Sequence, residues 1–416
     1  MRSPIGVLIF LSVMLGLDYY FYVAIRTVSQ AASPRTKMLI GSIYWSVTIL
    51  AVVGFLLFVF TDQQFLGKKF RTYLFATVIG LFLAKFTAMI FFLADDLRRG
   101  IQWAAGKLFF NNTEVENMGS EGISRSAFLS WMGIAAGGTL FGTLMYGFSN
   151  KYSYDIKRVQ MGFKRLPGAF RGLRIVHISD IHSGSLLDKK AVSAGVDKIL
   201  LEKPDLILFT GDLVNDKATE MDLLKDVFAR LEAPLGVYST LGNHDYGDYV
   251  QWPIDGVSKT QNLENLKKVH ADMGWRLLMN EHIVIEKNNE QIAILGIENW
   301  SAKGRFPKHG KLQQAHAGTE NYLFKILMSH DPSHWDAEIT RKYPDIDLTL
   351  SGHTHGMQFG VEVPGFKWSP VQYMYKQWAG LYEGDAQKLY VNRGFGFIGY
   401  PGRVGVLPEI TVIELV

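Results

Sequence analysis

The chain has 416 residues, 48% of them hydrophobic, so it can hold more than one domain and bury a sizeable core. Its formal net charge of +4 is small for this length, and no basic stripe is interleaved with aromatic residues, which argues against nucleic acid as a partner. Because there is no cysteine, disulfides and thiolate chemistry are excluded, and any metal ion must be held by oxygen and imidazole ligands.

Long apolar segments fill residues 1–150, and each is long enough to cross a bilayer, which takes about 20 helical residues. They are Ile5–Ile25, Met38–Phe60, Tyr73–Ala94 and Ala127–Phe148. The first has a single upstream charge and no small-residue cleavage site, so we expect a retained anchor instead of a cleaved signal peptide. The sequence therefore predicts a transmembrane domain of four helices over residues 1–150.

Two ionisable residues, Asp18 and Lys85, lie inside the first and third predicted spans. These two spans run parallel in a four-span topology, and both residues sit slightly past the middle of their segments. Since an isolated charge in lipid is costly, our hypothesis is a buried ion pair that fixes helix packing, with a role in transport as the alternative.

The segments flanking the fourth span bear on topology. Residues 95–110 mix basic and apolar side chains, as an interfacial amphipathic helix or a polar loop would. Basic residues are nearly balanced between the two sides, so they favour neither orientation. The segment Ser124–Leu129 resembles a twin-arginine export signal in which Ser126 replaces the second arginine. We therefore expect a multi-pass protein of a bacterial inner membrane or plasma membrane, with the region after the fourth span on the extracytoplasmic side.

After a basic linker over residues 151–172, residues 173–416 alternate short β-rich runs with helical stretches. The predicted strands are Arg174–Ser179, Leu206–Thr210, Val237–Leu241, Ile292–Ile297, Lys325–Ser329, Asp347–Leu350, Leu389–Asn392 and Ile410–Leu415. The predicted helices include Lys189–Glu202 and Met221–Arg230. Strands that alternate with helices and end in polar residues predict an α/β domain with its active site at the strand ends.

Polar motifs follow five of these runs. They are Asp180-Ile181-His182, Gly211-Asp212, Gly242-Asn243-His244-Asp245, Ser329-His330-Asp331 and Gly352-His353-Thr354-His355. In extended backbone, the side chains of residues two apart point to the same side of the strand. Asp180 and His182 can therefore reach one site, and so can His353 and His355. Carboxylate, amide and imidazole ligands suit manganese, iron, zinc or magnesium. A single motif of this kind is more often a packed polar pair, but five in this order indicate a metal site.

In this order the motifs resemble the calcineurin-like metallophosphoesterase family, from Leu173 to the end of the chain. The resemblance implies a four-layer αββα sandwich with a dinuclear metal centre. Matched by position, one metal ion would be held by Asp180, His182, Asp212 and His355, and the other by Asp212, Asn243, His330 and His353. A shared carboxylate agrees with the physics, because two neighbouring cations need an anionic bridge to offset their repulsion.

Two further motif residues are expected to be catalytic. His244 resembles the histidine with which this family contacts phosphate and protonates the leaving oxygen, and Asp245 is expected to orient it. Asn215 and Asp216 either brace the site or form a plain turn. The histidines outside the motifs are expected to be structural or solvated: His177, His270, His282, His309, His316 and His334.

The C-terminal segments resemble the membrane-linked branch of the family, with one departure. Met357 stands where relatives commonly have a glycine, which puts an apolar side chain at the rim of the site. Arg393 and Arg403 could bind phosphate or pair with a carboxylate. Basic residues also stand beside aromatic ones in the stretches 300–318 and 364–378.

These features predict hydrolysis of a phosphodiester or pyrophosphate bond, in an amphiphilic or lipid-linked substrate at the membrane surface, by an enzyme with two divalent metal ions. The alternatives are a phosphomonoesterase, a phosphoprotein phosphatase, and a metal-binding sensor or scaffold without catalysis.

Overall fold

The structure is a computed structural model that describes residues 4–61, 66–109 and 125–416. The chain divides into two compact units, Met1–Tyr146 and Gly147–Val416. We call the first the membrane unit and the second the sheet unit.

The described part of the membrane unit consists of four long helices, α1 (Pro4–Val28), α2 (Pro34–Phe60), α3 (Lys68–Phe109) and α4 (Arg125–Gly147). Each contains a segment long and apolar enough to cross a membrane, and most of the side chains in these segments are not buried by the protein. The predicted four spans are confirmed, since apolar side chains that face outward suit helices surrounded by lipid.

Helix α3 is longer than the sequence predicts. Residues 95–109 continue the third span as one helix, so the polar-loop alternative is wrong and the helical one is confirmed, while the interfacial position stays a prediction. Ser124, with which the export-like segment begins, lies outside the described residues.

The ion pair expected between the first and third spans is present. The Lys85 ammonium contacts Asp18 Oδ1, and both side chains are buried. The hydroxyls of Tyr44 and Thr48 on α2 donate to the same oxygen, at 2.9 and 2.7 Å. Three helices therefore meet at one carboxylate, whose charge is balanced entirely by neighbours in this unit.

The sheet unit contains fourteen strands within the described range 147–416. In chain order they are β1 (Asp155–Met161), β2 (Arg174–Ile178), β3 (Leu206–Phe209), β4 (Val237–Ser239), β5 (Arg276–Leu277), β6 (Glu281–Lys287), β7 (Glu290–Gly296), β8 (Lys325–Met328), β9 (Leu348–Ser351), β10 (Val361–Val363), β11 (Phe366–Trp368), β12 (Gly380–Glu383), β13 (Lys388–Val391) and β14 (Glu409–Leu415). They form two six-stranded mixed sheets, ordered β1-β14-β2-β3-β4-β5 and β12-β13-β9-β8-β7-β6, and the hairpin β10-β11.

Helices cover the outer faces of both sheets. They are α5 (Lys189–Leu201), α6 (Lys225–Phe228), α7 (Lys259–Asp272), α8 (Leu312–His316) and α9 (Thr340–Lys342). On β3, Ile207 packs in the outer layer, whereas Leu206 and Leu208 pack against the second sheet. On β8, Leu327 likewise faces outward and Ile326 inward. The alternation buries both faces of each sheet, and the predicted αββα sandwich is confirmed.

The segment predicted as a linker, residues 151–172, is largely part of the sandwich. Strand β1 lies within it and pairs in parallel with β14 over its whole length. Its exposed polar residues, Arg158 and Gln160, alternate with partly or fully buried ones, such as Val159 and Met161. An edge strand with one solvated face has this mixed pattern, and the same residues also suit a basic linker.

Parallel pairing brings the motif-bearing strand ends together. Strands β2, β3 and β4 are mutually parallel neighbours in the first sheet. Strands β7, β8 and β9 are parallel neighbours in the second. The carboxyl ends of parallel neighbours lie at one edge of a sheet, so the motifs within each sheet must converge there.

Candidate metal centre

The backbone at the predicted ligands is left-handed, not extended as the residue spacing suggested. Asp180, His182, Asp212, His353 and His355 have φ values of 53°, 49°, 60°, 71° and 50°. Residues other than glycine adopt this region rarely, and it persists only where surrounding contacts enforce it. The side chains still converge, but through tight turns after the strands and not through strand alternation.

The first group of ligand atoms comes from Asp180, His182 and His355, and all three side chains are buried. His355 Nε2 lies 3.2 Å from Asp180 Oδ1 and 3.0 Å from His182 Nε2. The backbone N–H of His353 donates to both Asp180 oxygens at 3.0 Å, which ties the turn after β9 to the turn after β2. These three residues can hold one metal ion.

The second group comes from Asp212, His330 and His353. His330 Nε2 lies 3.2 Å from Asp212 Oδ2 and 3.3 Å from His353 Nδ1. The Nδ1–H of His330 donates to the Thr210 carbonyl at 2.7 Å, which turns Nε2 toward the site. Asp212 Oδ2 is also 3.5 Å from His182 Nε2, so this carboxylate lies between the two groups.

Asn243 adds an amide oxygen to the site. Its Nδ2 donates to the Tyr249 hydroxyl at 2.8 Å, while its buried Oδ1 has no hydrogen-bond partner among the described residues. A buried acceptor without a partner is costly, and a bound cation would satisfy it. This orphaned oxygen, together with the carboxylate and imidazole donors, fits a divalent metal site.

The protonation states also suit metal binding. Burial by itself would raise the pKa of Asp212, but the neighbouring His330 and His244 more than offset this and hold it well below its ordinary value. Burial lowers the pKa of His182, His353 and His355. Ionised carboxylates and neutral imidazoles are the forms that ligate metals.

His330 departs from the other three histidines. Burial would lower its pKa, but contact with Asp212 outweighs this and raises the pKa to about 10. A metal ion bound here must therefore displace a proton from the His330 ring.

Among the described residues, the hydrogen bonds of Asp245 are to backbone N–H groups and not to the His244 side chain, so a direct orienting role stays a prediction. Its buried carboxylate accepts the backbone N–H groups of Asp212 and Gly242 at 2.9 and 2.8 Å, and that of Leu213 at 2.8 Å. Burial, followed by the charge of Asp212, raises the pKa of Asp245 to about 7. The residue thus fixes the turns after β3 and β4 against each other.

His244 is oriented by the segment after Asp212. Its Nδ1–H donates to the Asn215 carbonyl at 2.8 Å, which leaves Nε2 for another partner. The ring lies 4.4 Å from the Tyr249 ring and 4.9 Å from the His182 ring, between centroids. The bracing role considered for Asn215 is therefore filled by its backbone carbonyl.

Close backbone packing explains two of the motif glycines. A Cβ at Gly242 would collide with Asp212, and one at Gly352 would collide with Ser179 and Asp180. Any larger residue would push the turns apart and displace the ligands.

Three further residues, which the motifs do not predict as part of the site, support the ligands. The Tyr375 hydroxyl lies 2.8 Å from His353 Nε2 and 3.3 Å from Asp331 Oδ2, and Tyr249 holds Asn243. Asp331 follows the predicted ligand His330 in one of the five motifs, so the sequence did contain a signal that it lies near the site. The two tyrosines carry no local signal, because tertiary contacts alone bring them to the site.

The arginines suggested as phosphate ligands face other groups. Arg393 is paired with Glu409 and with Glu362, which bears out the carboxylate alternative. Arg403 is fully buried and donates to the carbonyls of His355 and Arg393 at 3.2 and 2.8 Å. Its Nη2 also lies 3.2 Å from Nδ1 of the His355 ring, so Arg403 supports this ligand from behind, and both guanidinium groups have partners within the protein.

The remaining histidines outside the motifs also have structural contacts. His177 Nε2 lies 2.9 Å from Thr210 Oγ1, and His270 Nδ1 lies 3.0 Å from Ser239 Oγ. Burial lowers the pKa of His177 to about 4 and that of His270 to about 3. Neither histidine belongs to a ligand group.

Aromatic and basic residues surround the second ligand group. The Phe306 ring lies 4.7 Å from the His353 ring, edge to face, and the Lys303 ammonium lies 5.3 Å from the Tyr375 ring centre. Met357, two residues beyond His355, is 53% exposed. The rim thus combines positive charge with apolar surface.

Comparisons with known proteins agree with this geometry. Residues 1–151 match the family described as "Probable Calcineurin-like phosphoesterase, transmembrane domain", and residues 173–357 match "Calcineurin-like phosphoesterase". A "Transmembrane protein with metallophosphoesterase domain" of Danio rerio is 28% identical over 318 residues, which are 74% of this chain and 67% of the relative.

Two bacterial proteins are also similar. An uncharacterized metallophosphoesterase of Bacillus subtilis is 30% identical over 302 residues, 70% of this chain and 98% of that protein. A UDP-2,3-diacylglucosamine pyrophosphatase of Chlamydia trachomatis is 28% identical over 300 residues, 61% of this chain and 88% of that protein. The chain belongs to the calcineurin-like phosphoesterase family, as a membrane protein that carries a metal-dependent phosphoric ester hydrolase domain.

Proposed function

We propose that this enzyme hydrolyses a phosphodiester or pyrophosphate bond in an amphiphilic or lipid-linked substrate at the membrane surface, with two divalent metal ions. The observation that carries the proposal is the position of Asp212 between two ligand groups. Its Oδ2 lies 3.2 Å from His330 Nε2 and 3.5 Å from His182 Nε2. A carboxylate in this position can serve both groups and reduce the repulsion between two cations.

The residues divide between the two ions as follows. One ion would be held by Asp180, His182, Asp212 and His355, and the other by Asp212, Asn243, His330 and His353. Manganese, iron, zinc and magnesium all suit these ligands. When bound, such ions polarise a phosphoryl group and make a coordinated water more acidic.

His244 is proposed to act as the general acid that protonates the leaving oxygen. The hydrogen bond from Nδ1 to the Asn215 carbonyl fixes the ring, so that Nε2 can carry and release a proton. A general acid held in this way contributes a factor of about 10²–10⁴ to hydrolysis. Asp245 acts at a distance from the reacting atoms, because it shapes the turns that present Asp212 and Asn243.

The substrate class rests on the rim of the site. Tyr373 and Met374 precede the site residue Tyr375 and are 78% and 43% exposed, and Met357 is exposed as well. Apolar side chains exposed together beside a cationic residue such as Lys303 suit a substrate with both a phosphate and an apolar part. The relative from Chlamydia trachomatis is named for a diacylated pyrophosphate substrate, which supports the same class.

We propose that hydrolysis occurs on the extracytoplasmic side of the membrane, and the export-like segment Ser124–Leu129 supports this orientation. A reporter that is active on one side only, fused after Val416, tests this. Activity of a cytoplasmic reporter would contradict the proposal and would favour a substrate made inside the cell.

Activity is tested with purified full-length protein and three substrates: a soluble phosphodiester, a soluble phosphomonoester, and a phosphodiester with two acyl chains in mixed micelles. We expect manganese-stimulated turnover, with the acylated diester preferred. Preference for the monoester would favour a phosphomonoesterase or phosphoprotein phosphatase. Absence of turnover with every substrate, in protein that retains its metal ions, would favour a sensor or scaffold.

A matched pair of variants tests the contribution of the rim. Tyr373→Ser should slow hydrolysis of the acylated diester more than that of the soluble diester, because it removes apolar surface beside the site. Leu201→Ser removes an equally exposed apolar side chain from α5, remote from the ligand groups, and should leave the ratio of the two rates unchanged.

A further inference from the structure

Two adjoining cavities lie between the helices of the membrane unit. The first, of about 430 Å³, lies at the turn from α1 to α2 and is lined by polar residues that include Arg26, Gln30 and Lys37. The second, of about 390 Å³, is bounded by side chains of all four described helices. Ile25 and Ile40 line both cavities, so the two adjoin across these side chains.

The chemistry changes from one cavity to the other. Arg26 and Lys37 are exposed in the first, and neither side chain has an acidic partner among the residues that the structure describes. The wall of the second is almost entirely apolar, with Val47, Leu81 and Phe141 among its residues. One end of the combined space therefore attracts an anion, and the other accepts hydrocarbon.

The ionisable side chain in the apolar cavity adds no unbalanced charge. Lys85 lines this cavity, but its ammonium is bound to Asp18. From Ile40 to Val47 the groove follows α2 for about 10 Å, at 1.5 Å per residue. That length suits the upper part of an acyl chain.

We infer that the membrane unit binds one anionic glycerophospholipid, with its phosphate between Arg26 and Lys37 and an acyl chain in the groove that runs from Ile40 to Val47. Free phosphate would satisfy the basic end alone and leave the apolar groove in contact with bulk lipid. A zwitterionic phospholipid would fill the groove but would gain less from two cations that have no acidic partner. The site is separate from the candidate metal centre and does not depend on the proposed hydrolysis.

The structure offers a matched pair of variants for each end. At the basic end, the double variant Arg26→Ala/Lys37→Ala removes both cations, whereas Arg35→Ala removes an exposed cation of the same region that does not line the cavity. At the apolar end, Gly138 lines the groove and a Cβ there meets no atom within 4 Å, so Gly138→Leu places a side chain where the acyl chain would lie. Gly142→Leu is equally unhindered on the same helix but lies outside the groove.

The experiment is a titration of full-length protein in detergent with phosphatidylglycerol or phosphatidylcholine, read by native mass spectrometry. We expect one phosphatidylglycerol to bind more tightly than further lipids. Loss of both cations should weaken its binding roughly 30-fold and abolish the preference over phosphatidylcholine. Gly138→Leu should weaken binding of both lipids, and the two control variants should bind as the wild type does. Excess glycerol phosphate should not displace the lipid.

Three outcomes would overturn the inference. They are wild-type binding of phosphatidylglycerol by the double variant, equal losses in the control variants, and displacement of the lipid by glycerol phosphate. The basic end and the apolar end of the site are tested by independent substitutions. If one variant folds poorly, the other variant still tests the inference. Size-exclusion chromatography and the thermal unfolding midpoint identify such a variant.

Discussion

The two units both bury charged side chains, but they balance the charge in different ways. In the membrane unit, Asp18 is matched by Lys85 and by hydroxyl donors on α2, so every partner comes from the chain itself. In the sheet unit, Asp180 and Asp212 face several imidazoles, and Asn243 Oδ1 has no partner in the described structure. The first arrangement is complete, whereas the second is completed by cations.

This difference indicates what each cluster is for. Burying a charge costs several kcal/mol unless it is paired and hydrogen-bonded, so a self-contained pair serves packing. A group of carboxylates and imidazoles held mostly in left-handed turns is maintained at a cost to stability, and such strain concentrates at functional sites. Substitutions should therefore change stability in the first unit and chemistry in the second.

The largest effect is expected from Asp212→Ala. The variant loses the carboxylate that lies within 3.2–3.5 Å of both ligand groups, so both metal ions should be lost and hydrolysis should fall by at least about 10⁴-fold. Metal content by mass spectrometry and steady-state turnover measure the two effects. Full metal occupancy in the purified variant would contradict the bridging assignment.

His244→Ala is the matched control for that experiment. Its ring is not in either ligand group, so metal content should stay close to that of the wild type. Turnover should fall by about 10²–10⁴-fold, because the proton donor is lost. If both variants lost metal equally, the separation between ligands and proton donor would be wrong.

How far the sequence alone predicts this site depends on the kind of contact. The alternation of strands and helices placed the motifs at strand ends, and the order of the motifs identified the family. The left-handed backbone of the turns could not be predicted from the sequence. At His353 it is accompanied by a hydrogen bond to Asp180, which joins residues far apart in the chain.

Charged residues show the same limit. Asp18 and Lys85 were predicted as a pair, because an unpaired charge is energetically costly in lipid. Arg403 stands among glycines near the end of the chain, and nothing local indicates that it is buried and bound to backbone carbonyls. Strand β1 was missed for a related reason, since an edge strand carries charged residues that also suit a linker.

The buried ion pair between Asp18 and Lys85 should contribute to the stability of the membrane unit. Lys85→Met leaves Asp18 buried without its cation, and removing one partner of a buried pair costs about 3–5 kcal/mol. We expect a large fall in the yield of folded protein in membranes. The exchange Asp18→Lys/Lys85→Asp should recover part of that loss, and full recovery is not expected because Tyr44 and Thr48 donate to the native carboxylate. Additive losses in the exchange variant would count against a role for the pair in packing.

Removal of metal ions should affect the sheet unit and spare the membrane unit. Metal present at about 100 times its Kd stabilises the folded state by about 2.7 kcal/mol, which a chelator removes. Amide hydrogen exchange should accelerate in the turns around Asp180, Asp212 and His353, and it should not change in α1 and α2. A chelator should have no effect on Asp212→Ala, and equal acceleration in both units would contradict the comparison.

The smallest expected effect is a pH dependence of the free energy of unfolding. It comes from a buried titratable group that has neither an ionic partner nor a metal ion to balance it. His270 lies between Phe209 and Trp275, its Nε2 has no partner in the described structure, and burial lowers its pKa to about 3 from an ordinary value near 6.5. Because the unfolded chain binds this proton at a higher pH than the folded chain, unfolding takes up a proton between these two values.

The free energy of unfolding should therefore fall as the pH is lowered below 6.5, by about 1.4 kcal/mol per pH unit from His270 alone. Denaturant titrations at several pH values, compared between the wild type and His270→Leu, isolate this slope, since the cost of leaving Ser239 unpaired does not vary with pH. Burial of His177, whose pKa is about 4, acts in the same direction, so His177→Leu should flatten the profile further. Identical slopes in the wild type and His270→Leu would mean that the ring is charged in the folded protein, and its burial would then resemble the compensated pair of the membrane unit.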